Sequence, residues 1–149
     1  MTNTSMILIS HRGNLEGKKK DLENSPEYIQ AALEAGFEVE IDVWYVDKKW
    51  YLGHDEPNYE IDITFLMNDK LWCHAKNIES LYELFLYDKN IHYFWHQDDD
   101  FTLTSKGYIW TYPGKKLTDM SICVLPERFD YDIINAYGIC SDYISTFKN

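Results

Sequence analysis

One stretch of the chain decides the architecture we expect: Phe37-Glu38-Val39-Glu40-Ile41-Asp42-Val43-Trp44. Apolar and polar residues alternate along it, which is the period of a β-strand, where successive side chains point to opposite faces. Glu40 and Asp42 are two residues apart and therefore share one face of the predicted strand. Two neighbouring carboxylates on one face are a candidate ligand pair for a hard divalent cation.

The residues that follow this strand predict a hairpin. Asp47-Lys48-Lys49 is a predicted turn, and the apolar run Trp50-Tyr51-Leu52 leads from it to Gly53-His54-Asp55. A hairpin of this length would return His54 towards Glu40 and Asp42.

Other runs predict further strands and two helices. Apolar runs occur at 6–10, 71–76, 91–96, 108–111, 121–125 and 138–143, most of them ending in or followed closely by polar residues. Ser25 is a predicted N-cap with Pro26 at the first helical position, and Gly36 is a predicted helix end. Ile78–Tyr87 has a second helical pattern.

Strands that alternate with helices predict a parallel α/β fold. A full eight-stranded barrel needs about 200 residues or more, and the chain has 149. We therefore predict one domain over residues 1–149, a compact, trimmed TIM-type (β/α) barrel with seven to eight mostly parallel strands and reduced helices. The polar residues fall at the C-terminal ends of the runs, where barrel active sites are built.

Composition excludes some classes of partner. The formal net charge of −11 argues against nonspecific binding to nucleic acid or to anionic membranes, because both need a basic surface. No window is apolar for long enough to span a bilayer, and residues 1–5 lack the features of a signal peptide. Three cysteines without paired spacing predict reduced, buried thiols. We expect a cytoplasmic protein; its oligomeric state is open.

Four short motifs occur in order between residues 11 and 55: His11-Arg12-Gly13, Glu23-Asn24, Glu40-Ile41-Asp42 and Gly53-His54-Asp55. Each alone is weak, since a Glu-x-Asp at a strand end is more often a solvated edge or a salt-bridge partner than a metal site. In this order, however, the motifs resemble those of the glycerophosphodiester phosphodiesterase family. The segment 138–143 is similar to the closing strand of that family, a weaker match.

The resemblance implies metal-assisted cleavage of a small phosphodiester. His11 and His54 would be the general acid/base pair, one removing a proton from the nucleophile and the other protonating the leaving alkoxide. Arg12 would contact the phosphate. Charge that develops on the nonbridging oxygens would be stabilised by the arginine and by a divalent cation.

The resemblance also implies a set of metal ligands. Glu40 and Asp42 would bind the ion, and Glu23 would be either a further ligand or an orienter of Arg12. Carboxylate oxygens are the ligands that Mg²⁺ and Ca²⁺ prefer, so the cofactor expected is one of these two ions.

The chain departs from the family pattern at His74-Ala75-Lys76, where Glu-x-Lys is typical. Lys76 matches and is a predicted substrate contact, but His74 replaces a carboxylate. His74 would bind the ion as a neutral imidazole, which favours Mn²⁺ or Zn²⁺, or it would contact the phosphate directly, or the site works without a metal. His96 also ends a predicted strand and is a further candidate for substrate binding, whereas His92 begins its run and should face the opposite end.

These motifs are compatible with three functions. The first is a phosphodiesterase, and the second is a phospholipase-type lyase in which a substrate hydroxyl attacks phosphorus and gives a cyclic phosphate. The third is a protein that binds a phosphodiester without turnover. Lys18-Lys19-Lys20, between Arg12 and Glu23, is either a solvated loop or a means of attracting an anionic substrate.

Overall fold

The computed structural model describes residues 6–129 and 135–148; residues 1–5, where a signal peptide was sought, lie outside this range. Ten β-strands and two α-helices occur in the described residues. In chain order they are β1 (Ile7–His11), α1 (Pro26–Glu34), β2 (Glu38–Val46), β3 (Lys49–Leu52), β4 (Tyr59–Ile61), β5 (Leu71–Ala75), α2 (Ile78–Tyr87), β6 (Tyr93–Phe94), β7 (Phe101–Leu103), β8 (Ile109–Thr111), β9 (Ser121–Val124) and β10 (Gly138–Ser141).

All ten strands belong to one mixed sheet. Its main order is β4-β3-β2-β1-β10-β9-β8-β7, and β5 and β6 continue from β2 as a branch. The run β6-β5-β2-β1-β10-β9-β8 is parallel, whereas the pairs β2–β3, β3–β4 and β7–β8 are antiparallel. The strand β2 is the branch point, because it pairs with β1, β3 and β5.

The prediction of a trimmed TIM-type barrel is wrong. The molecule is a curled half-barrel dominated by its sheet, with antiparallel strands at β3, β4 and β7 and two α-helices in the described residues. Among the described residues β6 pairs with no strand other than β5. Two hydrogen bonds join Tyr93 of β6 to Ser105, but they are not part of a strand pair. One physical reason is the length of the connections. Only residues 112–120 join β8 to β9, fewer than a helical crossover usually needs.

Both helices occur where the sequence predicts them. The Ser25 hydroxyl accepts a hydrogen bond from the Tyr28 backbone N–H (3.2 Å), Pro26 begins α1, and Gly36 follows the helix with a φ of +96°. The second helix begins after Asn77, whose side chain accepts from the Ser80 N–H in a capping box. Neither described helix is long and apolar enough to cross a lipid bilayer.

The predicted hairpin is confirmed. Asp47 and Lys48 have φ values of +51° and +65°, the left-handed pair that joins twisted antiparallel strands by a two-residue turn. At the base of the hairpin the Gly53 N–H donates to the Asp42 carbonyl (3.1 Å). That carbonyl lies on the same edge of β2 as the Glu40 carbonyl, which β1 approaches. The hairpin therefore brings the residues after β3 alongside the end of β1.

Two of the three apolar clusters in the described residues frame the site, one on each face of the sheet. On the convex face, α1 and α2 pack Ile29 and Leu84 against Val39, Ile41 and other odd-numbered residues of β2 and β5. The concave face holds a second cluster in which Phe94, Trp72 and Trp110 pack against one another and against the side chains of β1, β9 and β10. All three cysteines are buried, as the sequence predicts.

The concave cluster should carry a large share of the stability. We predict that Phe94→Ala lowers the free energy of unfolding by about 3–5 kcal/mol, because Phe94 is 2% exposed and fills the space between β5 and β8. Phe85 is 64% exposed on α2, and Phe85→Ala should change the free energy of unfolding by roughly 0.5 kcal/mol. Urea denaturation of both variants provides the measurement, and equal losses would contradict this packing.

Candidate active site

The concave face changes from apolar to polar towards the C-terminal ends of its parallel strands. On five strands, or just after the strand ends, the residue two positions after an interior apolar residue is polar or aromatic and lines one cavity, because alternate residues of an extended chain share a face. These pairs are Ile9 and His11, Trp72 and His74, Phe94 and His96, Trp110 and Tyr112, and Cys140 and Asp142. The apolar cluster thus forms the floor of the cavity, and the candidate site lies above it.

His11 ends β1 with both ring nitrogens beside carboxylates. Its Nδ1 donates a hydrogen bond to Asp142 Oδ1 at 2.7 Å, and its Nε2 lies 3.8 Å from Glu40 Oε1. Asn14 donates to the same oxygen of Asp142 (2.9 Å), which fixes that carboxylate from a second direction. With Nδ1 engaged in this way, Nε2 is the nitrogen of His11 that can exchange a proton with a ligand in the cavity.

Arg12 lies between two acidic groups. Its Nε is 3.1 Å from Asp42 Oδ2, and its Nη1 is 3.3 Å from Glu23 Oε1. The second Glu23 oxygen accepts from Asn14 Nδ2 (2.8 Å), so both oxygens of Glu23 are engaged. Burial lowers the pKa of Arg12, but Asp42 and the other nearby carboxylates outweigh it and raise the pKa. Glu23 is thus in contact with Arg12, and its role as an orienter of the guanidinium stays a prediction.

Glu40, Asp42 and His74 form a group that could hold a metal ion. Their candidate ligand atoms lie within 4.8 Å of one another, and β2 and β5 place Asp42 directly opposite His74. Both carboxylates are buried, and neither Glu40 Oε1 nor Asp42 Oδ1 accepts a hydrogen bond of good geometry among the described residues, although His74 Nδ1 lies 3.2 Å from Asp42 Oδ1 as an ion-pair partner. Because buried carboxylate oxygens require a donor or a cation, the residues present fit a divalent ion. Glu23 lies outside this group.

His74 faces the carboxylates through one nitrogen. Its Nε2 donates to the His96 backbone carbonyl (2.8 Å), which leaves Nδ1 at 3.2 Å from Asp42 Oδ1 and 3.6 Å from Glu40 Oε2. A carbonyl partner on the far nitrogen is the usual arrangement behind a metal-binding imidazole. Burial lowers the pKa of His74, but its interactions with Asp42 and Glu40 raise it to about 9. Without an ion, protonated His74 therefore offsets part of the acidic charge.

Asp42 is in contact with Asn24, Arg12 and His74. The Asn24 side chain donates to Asp42 Oδ2 and accepts from the Asp42 N–H, both at 2.9 Å. Burial raises the pKa of Asp42, but His74, Arg12 and Lys76 outweigh it and hold the pKa well below its usual value. Asp42 is therefore ionised at neutral pH.

His54 sits at the rim, and its side chain is 43% exposed. Its Nδ1 donates to Asp55 Oδ1 at 2.7 Å. Burial lowers the pKa of His54, and the positive charge of Arg12 lowers it further. His54 is therefore neutral at pH 7 and able to accept a proton.

One cavity of about 410 Å³ collects most of the residues predicted from the sequence. It is lined by His11, Arg12, Glu40, His54, His74, Lys76 and His96, together with Asp142 and an aromatic wall that includes Tyr112. His92 lies elsewhere, against Trp72, and donates to or accepts from Thr104.

Sequence reasoning missed two residues of this site as functional candidates. The sequence places Asp142 within the segment 138–143 without a role of its own, and it assigns none to Asn14. The structure gives both a place in one network, since Asn14 bridges Glu23 and Asp142 while its own amide oxygen accepts from Tyr28 Oη. Position gives a partial signal for Asp142, which follows the apolar residues Ile139 and Cys140 with one serine between. No pattern signals Asn14, because its partners are distant in sequence.

Comparisons of the chain with protein-family models, with curated proteins and with solved structures found no match in any of the three.

The acid titration of Asp142 should be visible in stability. Burial raises its pKa, but the hydrogen bond from His11 and its other partners lower it below the ordinary 3.8. Asp142 therefore stabilises the fold fully above pH 3.8, and this contribution is lost as pH falls through the lowered pKa. Urea unfolding between about pH 5 and pH 2 should show a steeper loss for the native chain than for Asp142→Asn. The exposed control Asp119→Asn should keep the steep loss; identical slopes for Asp142→Asn and the native chain would contradict the contact.

Metal binding should depend on Glu40. At a free Mn²⁺ concentration of about 100 times Kd, the ion should stabilise the native chain by about 2.7 kcal/mol and raise its melting temperature. Glu40→Gln retains the shape of the side chain but loses the charge, and should weaken the ion at least about tenfold. Glu79→Gln, at an exposed position in the first turn of α2, is the matched control and should respond like the native chain. A shift of equal size in Glu40→Gln would exclude the cluster as the binding site.

Proposed function

We propose that this chain is a cytoplasmic phosphodiesterase that cleaves a glycerophosphodiester or a similar small phosphodiester. The observation that carries the proposal is the position of His11. Asp142 holds one ring nitrogen, and the other faces a cavity that also contains a candidate cation cluster and the cationic side chains Arg12 and Lys76. A phosphodiester needs these groups together: a proton donor or acceptor, and positive charge for its nonbridging oxygens.

The two histidines take different roles in this proposal. His54 is neutral at pH 7, because burial and Arg12 lower its pKa, and it removes the proton from the attacking nucleophile. His11 protonates the leaving alkoxide through Nε2. Asp142 keeps the imidazole of His11 in the required tautomer and stabilises its protonated form during the cycle, as an acidic partner does for a catalytic histidine.

Positive side chains orient the phosphate and stabilise its charge. Glu23 and Asp42 fix the guanidinium of Arg12 at the cavity wall, so little conformational entropy is lost when substrate binds. Lys76 follows β5 and lines the same cavity. Both side chains are in place before the charge of the transition state develops, which is the arrangement most effective for catalysis.

Glu40, Asp42 and His74 would hold the metal ion. A divalent cation bound there would supply Lewis-acid stabilisation of the phosphate oxygens. Two carboxylates alone favour Mg²⁺ or Ca²⁺, whereas an imidazole in the set shifts the preference towards Mn²⁺ or Zn²⁺. Because Nδ1 of His74 faces both carboxylates, we propose Mn²⁺ or Zn²⁺ as the ion that this chain prefers.

Hydrolysis of glycerophosphodiesters tests the proposal. We expect turnover in the presence of Mn²⁺ and loss of turnover with a chelator. His11→Asn should lower kcat by about 10²- to 10⁴-fold, because it removes general acid catalysis. His92→Gln is the histidine control, since His92 lies outside the cavity, and should retain the native kcat.

Phosphorus NMR of the product distinguishes two routes to cleavage. A phosphomonoester shows attack by water, and a cyclic phosphate shows attack by a hydroxyl of the substrate. Undiminished turnover in His11→Asn would contradict the mechanism. Tight binding of the diester without cleavage under any divalent cation would show that the chain is a phosphodiester-binding protein and not an enzyme.

A further inference from the structure

A second cavity, of about 330 Å³, adjoins the first. Arg12, Lys18 and His54 line both cavities, so the two share a boundary at the proposed phosphodiester site. The second cavity continues from this boundary towards Lys20 and Asn58. A substrate whose phosphodiester lies beside Arg12 can therefore extend into it.

The lining of the second cavity carries more positive than negative side chains, since Arg12, Lys18 and Lys20 face Glu23 and Asp55. Glu23 pairs with Arg12 and accepts a hydrogen bond from Asn14, and Asp55 accepts a hydrogen bond from His54. Lys18 and Lys20 are exposed, and neither has an ion-pair partner in the described part of the chain. In a protein of net charge −11, two such lysines beside one cavity attract an anion selectively to that place.

The loop that carries these lysines is fixed to the catalytic network. The Gly17 N–H donates to the Asp142 carbonyl (2.8 Å), and the Lys19 N–H donates to Asn14 Oδ1 (3.2 Å). At the far end of the loop, the Glu23 N–H donates to the Lys19 carbonyl (3.1 Å). The loop that carries both lysines is thus held by residues that also contact His11 and Arg12, which fixes its position beside the two cavities.

We propose that the second cavity binds a further phosphate of the substrate, so that the preferred substrate is a phosphodiester that also carries a phosphomonoester. This inference rests on the proposed function for the position of the phosphodiester. The phosphomonoester, with a charge near −2 at neutral pH, is held by Lys18 and Lys20 while Arg12 remains at the diester. Lysine suits this role, because its ammonium binds phosphate as a point charge without a fixed geometry.

The experiment compares glycerophosphoglycerol with the same diester phosphorylated on its terminal hydroxyl. In the native chain, kcat/KM should be at least about tenfold higher for the phosphorylated diester. The double variant Lys18→Gln/Lys20→Gln should lower this preference by roughly five- to tenfold, the effect of two exposed ion pairs. Lys70→Gln/Lys106→Gln removes the same charge beside Glu38, at the start of β2, and should keep the full preference.

Two results would overturn the inference while leaving the proposed function intact: equal kcat/KM for the two diesters, or a preference that survives Lys18→Gln/Lys20→Gln. If neither diester is cleaved, the proposed function fails, and calorimetry with the same two compounds decides the inference by itself. Tighter binding of the phosphorylated diester that is lost in the lysine variant supports the second cavity as a phosphate site. Equal binding of the two diesters excludes it.

Discussion

The burial of two carboxylates on one face of β2 is the constraint on which the rest of this structure depends. Glu40 is 2% exposed and Asp42 is fully buried, and ionised groups in such places are strongly unfavourable without compensation. Three cationic or potentially cationic groups converge on them: Arg12 from the end of β1, His74 from β5, and His11, whose Nε2 approaches Glu40. The compensation is incomplete, because one oxygen of each carboxylate accepts no hydrogen bond of good geometry among the described residues. A fold stabilised for its own sake would place apolar residues here, and the retained charge therefore points to function.

The branched sheet makes this convergence possible. The strand β2 receives β1 and β3 along one edge and β5 along the other, so side chains from three segments reach the same face of one strand. Backbone conformation contributes as well, since Arg12 and Asn24 both adopt positive φ, of +62° and +68°, directly beside Asp42. Non-glycine residues in this region are uncommon and carry a modest cost, and they occur frequently at functional sites. Below them the aromatic cluster around Trp72 gives the site a rigid floor.

Local patterns were sufficient to predict the parts of the fold that depend on local physics. The alternation from Phe37 to Trp44 identified β2 and the shared face of its carboxylates, and Ser25 with Pro26 identified the start of α1. The mixed sheet could not be predicted in this way, because β4 and β7 are three-residue antiparallel strands without a distinctive period. The hydrogen bond between His11 and Asp142 joins residues 131 positions apart, so only the parallel pairing of β1 with β10 brings them together. Metal choice is beyond the sequence for the same reason, since it depends on which atom of His74 faces the carboxylates.

In the proposed mechanism the carboxylates of Glu40 and Asp42, with His74, hold a cation beside a phosphate held by Arg12. A crystal structure of the protein soaked with Mn²⁺ and glycerol phosphate, with data collected at the manganese absorption edge, would show whether they do. We expect one anomalous peak within bonding distance of the three side chains, with phosphate oxygens in contact with the guanidinium. A peak elsewhere, or an ordered phosphate with no peak at this cluster, would contradict the mechanism.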